Sequence, residues 1–120
     1  MFKRVVVAGC RDYENYEEAK VFIDNCIREI RKQNTLIFIS GRCRGADMLG
    51  ERYAKENGIE IEYYPADWKV FGNAAGPMRN QKMAEACDFA ICFWDGKSRG
   101  TRSMIEYARK LNKPIRIKKI

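Results

Sequence analysis

The stretch that decides the fold is Val5-Val6-Val7-Ala8-Gly9-Cys10-Arg11-Asp12. Its first four residues form a continuous, mainly β-branched run, which is typical of a strand that is covered on both faces. The run ends in a glycine followed by polar residues, and ligands of α/β proteins bind outside the carboxyl ends of such strands. The stretch therefore predicts a buried first strand with a polar loop at its carboxyl end.

The same alternation of buried strands and helical faces continues along the chain. The predicted strands are residues 5–8, 36–39, 59–63, 89–93 and 114–117. The predicted helices are residues 15–32, 46–57, 77–87 and 101–111. This order predicts an α/β fold, namely a single Rossmann-like domain over residues 1–120 with a mostly parallel five-stranded sheet and helices on both faces. We expect the first strand to be central, with the second and fourth strands beside it.

Composition limits the chemistry that the chain can perform. Its 120 residues include five cysteines and no histidine. The cysteines are odd in number and form no C-x-x-C pair, so we expect neither a disulfide framework nor a zinc site. We also expect no other metal and no cofactor. No apolar run approaches the roughly 20 residues of a membrane span, and no signal peptide precedes the first strand. We therefore expect reduced thiols, a cytoplasmic location and no membrane partner.

The formal net charge of +7 suits an anionic partner, either a phosphorylated small molecule or nucleic acid. In the alternative interpretation this charge mainly serves solubility, because many of the charged residues fall where solvated faces are expected. These residues are Lys110, Lys113, Arg116, Lys118 and Lys119.

Three glycine-containing loops, residues 9–13, 40–47 and 94–101, follow predicted strands at the same edge of the sheet. Glycine allows close approach to a ligand, and a helix N-terminus offers unpaired N–H groups to an anion. Arginines in these loops add charge-assisted hydrogen bonds. Each loop alone is better explained as a turn and helix cap, but their coincidence at one edge indicates a phosphate-binding site.

A fourth connection, residues 64–77, is longer than about 12 residues, which is typical of functional lids or binding loops. Trp68 and Phe71 within it either stack on a base or pack the loop against the domain.

Five segments of the chain together carry a family resemblance. They are residues 7–12, 40–47, 65–68, 75–80 and 93–101. In this order they resemble the DUF2493, YspA/cpYpsA-related group of the SLOG superfamily over nearly the whole chain. The resemblance implies a Rossmann-like fold and binding of nucleotides or nucleotide-derived ligands. The superfamily includes LOG phosphoribohydrolases, DNA-processing DprA proteins and sensor domains of antiphage systems.

Several positions depart from the patterns of that superfamily. Arg42 stands where a second glycine is usual, which we expect to narrow the pocket or to add a phosphate contact. Gly100-Thr101 matches the end of the LOG glycine-rich motif, but Met104 stands where those enzymes have glutamate. The segment Arg79–Met83 resembles their arginine-lysine-x-x-methionine element, with Asn80 in place of lysine. The resemblance thus implies the anion-binding half of a LOG site without its carboxylate.

We therefore predict a protein that binds a nucleotide, ADP-ribose-like or cyclic nucleotide signal as a sensor or sequestering protein in antiphage or anti-defence signalling, and that forms a homo-oligomer. Arginines and loop amides would hold phosphates, aspartates would contact ribose hydroxyls, and Trp68 or Tyr13 would stack on the base. The predicted ligand-binding residues are Gly9, Cys10, Arg11, Asp12, Ser40, Gly41, Arg44, Gly45, Asp47, Trp68, Arg79, Asn80, Asp95, Ser98, Arg99, Gly100 and Thr101.

Two alternatives remain open at this point. The first is an N-glycosidic, phosphoribohydrolase-like hydrolase of nucleotides, which needs a carboxylate such as Asp47, Asp95 or Glu106 beside an oxocarbenium-like transition state. The second is single-stranded nucleic-acid binding. It is disfavoured because the sequence has no dense basic stripe interleaved with aromatic residues.

Overall fold

The computed structural model describes all 120 residues, and strands alternate with helices along the chain. The strands are β1 (Phe2–Gly9), β2 (Thr35–Ser40), β3 (Glu60–Tyr63), β4 (Phe89–Trp94) and β5 (Ile115–Lys119). The helices are α1 (Tyr16–Gln33), α2 (Ala46–Glu56), α3 (Trp68–Phe71), α4 (Ala75–Ala86) and α5 (Arg99–Lys110). A short 3-10 turn, Gly72–Ala74, joins α3 to α4.

The five strands form one parallel sheet in the order β3-β2-β1-β4-β5. Val6 of β1 pairs with Ile39 of β2 on one side and with Ala90 of β4 on the other. The predicted α/β class and the central position of the first strand, between the second and fourth, are confirmed.

The apolar core lies in two layers, one on each face of the sheet. Val5 and Val7 pack with residues of α1 and α2, whereas Val6 and Ala8 pack with residues of α4 and α5. Successive residues of a strand point to opposite faces. A continuous apolar run is therefore what a central strand between two helical layers requires.

The connection over residues 64–77 is more ordered than the sequence predicted. The Asp67 side chain accepts a hydrogen bond from the Val70 amide at 3.2 Å and caps α3. The 3-10 turn then leads directly into α4, which begins at Ala75 instead of at Pro77. Proline is tolerated throughout the first turn of a helix, so Pro77 does not mark the first helical residue.

None of the five helices is long and apolar enough to cross a membrane.

Helix α2 packs closely on β1 at Gly50, a buried residue in the middle of the helix. An ideal Cβ at this position would lie 2.7 Å from Cβ of Val7. Val7 belongs to the central strand and is stiff because it is β-branched. The close packing of the helix against the sheet therefore leaves no room for a side chain at Gly50.

We expect Gly50→Ala to lower the free energy of unfolding by about 1–3 kcal/mol, the usual cost of overpacking a core. This loss opposes a gain of up to about 1 kcal/mol in helix propensity. Gly100→Ala in α5 is the matched control, because no heavy atom lies within 4 Å of its ideal Cβ. Urea denaturation measures both variants. A Gly50→Ala protein as stable as the Gly100→Ala control would contradict the close packing of α2 on β1.

Candidate functional site

A cavity of about 370 Å³ opens at the carboxyl edge of the sheet, beside the ends of β1 and β4. The chain leaves β1 toward β2 on one side and reaches β4 on the other, so this is the point where the strand order reverses. Ligands of open α/β sheets bind at such switch points. The cavity is lined by Ala8, Gly9, Cys10, Arg11, Asp12, Cys43, Arg44, Asp47, Arg79, Asn80, Met83, Asp95, Ser98, Gly100, Thr101 and Met104.

Most of the residues that the sequence singled out meet in this cavity. The lining also contains four residues that were not on the predicted list, namely Ala8, Cys43, Met83 and Met104. Cys43 lies within a predicted loop, and helical spacing places Met83 one turn after Arg79. Both residues could therefore have been predicted from the sequence.

Three predicted residues, Ser40 at the end of β2 and Gly41 and Gly45 in the β2–α2 loop, do not line the cavity. The Ser40 hydroxyl donates to the buried Glu51 carboxylate at 2.6 Å, and the Gly41 carbonyl accepts a hydrogen bond from Arg79. Gly45 has a φ of +79° and packs against the backbone of the β1–α1 loop. These residues shape the loop, and their side chains or α-carbons do not face the cavity.

Three further predicted residues lie elsewhere on the surface. Trp68 is half-exposed on α3, with its ring over Gly76, and it does not line the cavity. Arg99 and Glu106 are exposed on α5 and are also absent from the lining. For Glu106 the reason is the 100° step of the helix, since Thr101 and Met104 occupy the face toward the cavity.

Arg79 differs most from its expected environment. The predicted helix over residues 77–87 places Arg79 in its first turn, whereas α4 begins at Ala75 and Arg79 is only 8% exposed in the second turn. Its guanidinium donates to the Gly41 carbonyl, to Asn80 Oδ1 at 3.0 Å and to Cys43 Sγ at 3.4 Å. Arg79 therefore ties α4 to the β2–α2 loop as well as lining the cavity.

The expectation for Arg42 is wrong. Its backbone φ is +65°, and its guanidinium donates to the Glu51 carboxylate at 2.6 Å. The Arg42 guanidinium also lies 4.9 Å from the centre of the Tyr63 ring. Glu51 is 1% exposed and needs a compensating charge, so Arg42 turns away from the cavity and neutralises it.

Arg11 and Arg44 are the two exposed cations at the cavity mouth. Arg44 lies 3.3 Å from Asp12 in a highly exposed ion pair, and such pairs contribute little to stability. A guanidinium nitrogen of Arg11 lies 4.0 Å from Cys43 Sγ. Neither arginine is held by a buried partner, so both are available to an anion.

The N-terminus of α5 faces the same cavity. The Ser98 side chain caps this helix by accepting a hydrogen bond from the Thr101 amide at 3.4 Å. The amides of Arg99 and Gly100 donate no hydrogen bond within the chain. Free amides at a helix N-terminus, together with the positive end of the helix dipole, attract a phosphate or carboxylate.

The Asp95 carboxylate shapes the loop that precedes α5. It accepts hydrogen bonds from the amides of Ser98 and Lys97, each at 2.8 Å. These bonds favour the ionised form and lower the pKa of Asp95 below its usual range. At neutral pH the Asp95 carboxylate is ionised and accepts hydrogen bonds. It is therefore poorly suited to donate a proton as a catalytic acid.

Asp47 has the opposite environment. Its side chain is 4% exposed and accepts a hydrogen bond from the Cys43 amide at 3.2 Å. Burial raises the pKa of Asp47 to about 6, against the opposing effects of the Cys43 amide and the charge of Arg79. An ideal Cβ at Gly41 would lie 2.8 Å from an oxygen of Asp47 and 2.8 Å from a nitrogen of Arg79, so a side chain there would have to displace one of these two groups.

No three histidine, cysteine, aspartate or glutamate side chains converge closely enough to hold a metal ion. Of the five free cysteines, Cys43 alone is partly exposed, and Cys10, Cys26, Cys87 and Cys92 are buried.

We predict that the free energy of unfolding depends on Asp47 between about pH 4 and pH 6. The folded protein holds the Asp47 proton more tightly than the unfolded chain, whose carboxyl titrates near 3.9. The stabilisation is therefore fully present below about pH 4 and is lost as the pH rises through about 6. Asp47→Asn, which keeps a neutral acceptor, should gain up to about 3 kcal/mol relative to wild type over this rise.

Urea titrations from pH 4.5 to 7.5 measure this difference, and the highly exposed Asp12→Asn variant provides the control. Wild type and Asp12→Asn should share the steeper pH profile. Parallel profiles for wild type and Asp47→Asn would show that Asp47 titrates normally.

Comparisons with known proteins agree with this architecture. Residues 3–71 match the YspA, cpYpsA-related SLOG family. The Gene 61 protein of Mycobacterium phage D29 is 31% identical over 120 residues, covering 94% of this chain and 94% of the phage protein. The family match includes the β1–α1 and β2–α2 loops of the cavity, whereas the α4 and α5 walls lie beyond it.

Two solved structures share the fold. DNA processing protein A (DprA) from Streptococcus pneumoniae superposes with a TM-score of 0.73 at 19% identity, covering 96% of this chain and 49% of DprA. The chain thus spans about half the length of DprA. TM1055, a structural genomics target, superposes with a TM-score of 0.68 at 21% identity, covering 96% of this chain and 72% of that protein.

Proposed function

Because the chain belongs to the YspA, cpYpsA-related SLOG family, we propose that it binds a nucleotide-derived small molecule at the carboxyl edge of its sheet. The observation that carries the proposal is the cavity in which the unpaired amides of α5 face exposed arginines. A nucleotide, an ADP-ribose-like molecule or a cyclic nucleotide supplies the anionic phosphate that this arrangement suits. The protein acts as a sensor or sequestering protein for that molecule.

In this proposal each part of the cavity has a separate role. The phosphate accepts hydrogen bonds from the N-terminal amides of α5, and Arg11 closes over it from the β1–α1 loop. Arg44 exchanges its exposed contact with Asp12 for a contact with the phosphate, which frees the Asp12 carboxylate to accept from a ribose hydroxyl. Because the Arg44–Asp12 pair is weak, little free energy opposes this exchange.

The cellular setting follows the same proposal. The 31% identical relative belongs to a phage, which supports a role in antiphage or anti-defence signalling. The free cysteines suit a reducing compartment such as the cytoplasm. We further propose that the protein functions as a homo-oligomer, which analytical ultracentrifugation tests directly.

A second candidate function is N-glycosidic hydrolysis, and it is favoured by Asp47. A buried carboxyl with a pKa of about 6 holds its proton close to neutral pH, so it can act as a general acid toward a departing base. Of the three predicted catalytic residues, Asp47 combines this property with a place in the cavity lining.

We expect Arg11→Ala to weaken nucleotide binding about tenfold to a hundredfold, which corresponds to the roughly 1.5–3 kcal/mol of a hydrogen bond to a charged group. Arg11 is exposed, so the free energy of unfolding should change by about 0.5 kcal/mol or less. Arg28→Ala is the matched control, because it removes the same charge from α1 outside the cavity. Calorimetric titration with nucleotides, dinucleotides and cyclic ADP-ribose isomers measures the affinities.

Mass spectrometry of each titrated sample separates unchanged ligand from cleaved product. Release of a free base that is abolished in Asp47→Asn would favour the hydrolase. Tight binding of a single-stranded oligonucleotide that survives about 200 mM salt would favour nucleic-acid binding, since non-specific phosphate contacts weaken steeply with salt. Equal nucleotide affinities of wild type and Arg11→Ala would remove Arg11 from the site.

A further inference from the structure

The cavity described above has no aromatic side chain in its lining. Proteins commonly hold a nucleobase by stacking it on an aromatic ring. Of the three predicted stacking residues, Trp68, Phe71 and Tyr13, two are unsuitable. Tyr13 is buried with its ring 5.0 Å from that of Phe93, and Trp68 lines neither this cavity nor its neighbour. The phosphate-binding cavity therefore offers no stacking surface for the base of a nucleotide.

A second cavity, of about 310 Å³, lies at the carboxyl end of β3 between α3 and α4. We call it the aromatic cavity, and its ring-bearing and apolar walls include Tyr63, Tyr64, Phe71 and Met78. Arg79 lines both cavities, so the two adjoin at its side chain. A molecule with its phosphate in the first cavity thus has an aromatic-lined space within reach on the other side of Arg79.

The exposure of α3 supports a ligand on this surface. This helix has no buried residue. Phe71 is 47% exposed and faces the aromatic cavity, although a phenyl ring gains free energy when it is covered. A planar base is a suitable cover for it. Lys82 at the rim and Arg79 between the cavities add positive charge along the path of an anionic ligand.

The sizes of the cavities support the same arrangement. Pockets for small ligands usually measure about 300–1,000 Å³, and each of these cavities is near the lower limit. Together the two cavities lie well inside this range, so they give more room to a ligand with both a sugar phosphate and a base than either one alone.

From these observations we infer that the aromatic cavity binds the planar base of the ligand whose phosphate occupies the first cavity. This inference rests on the proposed function, because it assumes a phosphate in the first cavity. In this inference the base stacks on Phe71 and the adjacent tyrosines. The ligand belongs to a class whose base and phosphate can lie on opposite sides of Arg79.

The five methionines provide a direct test, because their methyl groups report on separate regions of the protein. Met83 and Met104 line the first cavity and Met78 lines the aromatic cavity, whereas Met1 and Met48 lie in neither. In carbon-13 methyl NMR spectra, ribose 5-phosphate should shift the Met83 and Met104 signals only. The 5′-monophosphates of adenosine, guanosine, cytidine and uridine supply the base, and at least one of them should also shift Met78 through its ring current.

A pair of variants tests the energetic role of the base. Base stacking on an aromatic side chain is worth roughly 1–3 kcal/mol, so Phe71→Ala should weaken binding of the preferred nucleotide about five- to a hundredfold. Its affinity for ribose 5-phosphate should stay the same. Val70→Ala is the control, because Val70 is an exposed neighbour on the same helix that does not line the aromatic cavity. Calorimetric titration of both ligands gives the ratios.

The outcomes separate this inference from the proposed function. If neither ribose 5-phosphate nor any nucleotide shifts a methionine signal, the proposed function fails and the inference fails with it. If the ligands shift Met83 or Met104 while no nucleotide shifts Met78, the phosphate site stands and the aromatic cavity is not the base subsite. Equal loss of ribose 5-phosphate and nucleotide affinity in Phe71→Ala would likewise overturn the inference.

Discussion

The structure depends on the burial of β1 on both faces. Val5, Val6 and Val7 are inaccessible to water, so the central strand needs an apolar layer on each side. Helices supply both layers, and the chain must therefore build the sheet outward from β1 in two directions. A crevice forms where these directions part, at the carboxyl end of β1. The cavity is thus a consequence of how the central strand is covered.

The wall of that crevice includes polar groups that stabilise the fold and face the ligand space at the same time. The Arg79 guanidinium joins α4 to Gly41 and Cys43 of the β2–α2 loop, and the buried Asp47 carboxyl lies in the same wall. Removing one partner leaves another buried polar group without its hydrogen bond, which costs about 1–3 kcal/mol. The same contacts hold the cavity in one shape, so a ligand needs to order few side chains when it binds.

The sequence pattern predicted the parts of the structure that depend on local periodicity. Continuous apolar runs identified the strands, and glycines at the strand ends located the cavity. Side-chain direction was beyond such reasoning, because it depends on which partners the fold brings close together. Arg42 turns to Glu51, and Arg79 reaches Gly41 across 38 positions of sequence. The start of α4 was also missed, because Pro77 is compatible with several positions of a first helical turn.

The different exposure of the thiols has a practical consequence for chemical labelling. Cys43 is partly exposed in the cavity lining, within reach of two guanidinium groups, while the other four cysteines are buried, Cys10 in the wall of the same cavity. An alkylating reagent added to the folded protein therefore encounters one partly exposed thiol, located beside the space that a ligand would fill. A compound that occupies the cavity should slow this alkylation. The alkylation rate therefore measures the binding of any unlabelled compound, and the native chain needs no added label for ligand screening.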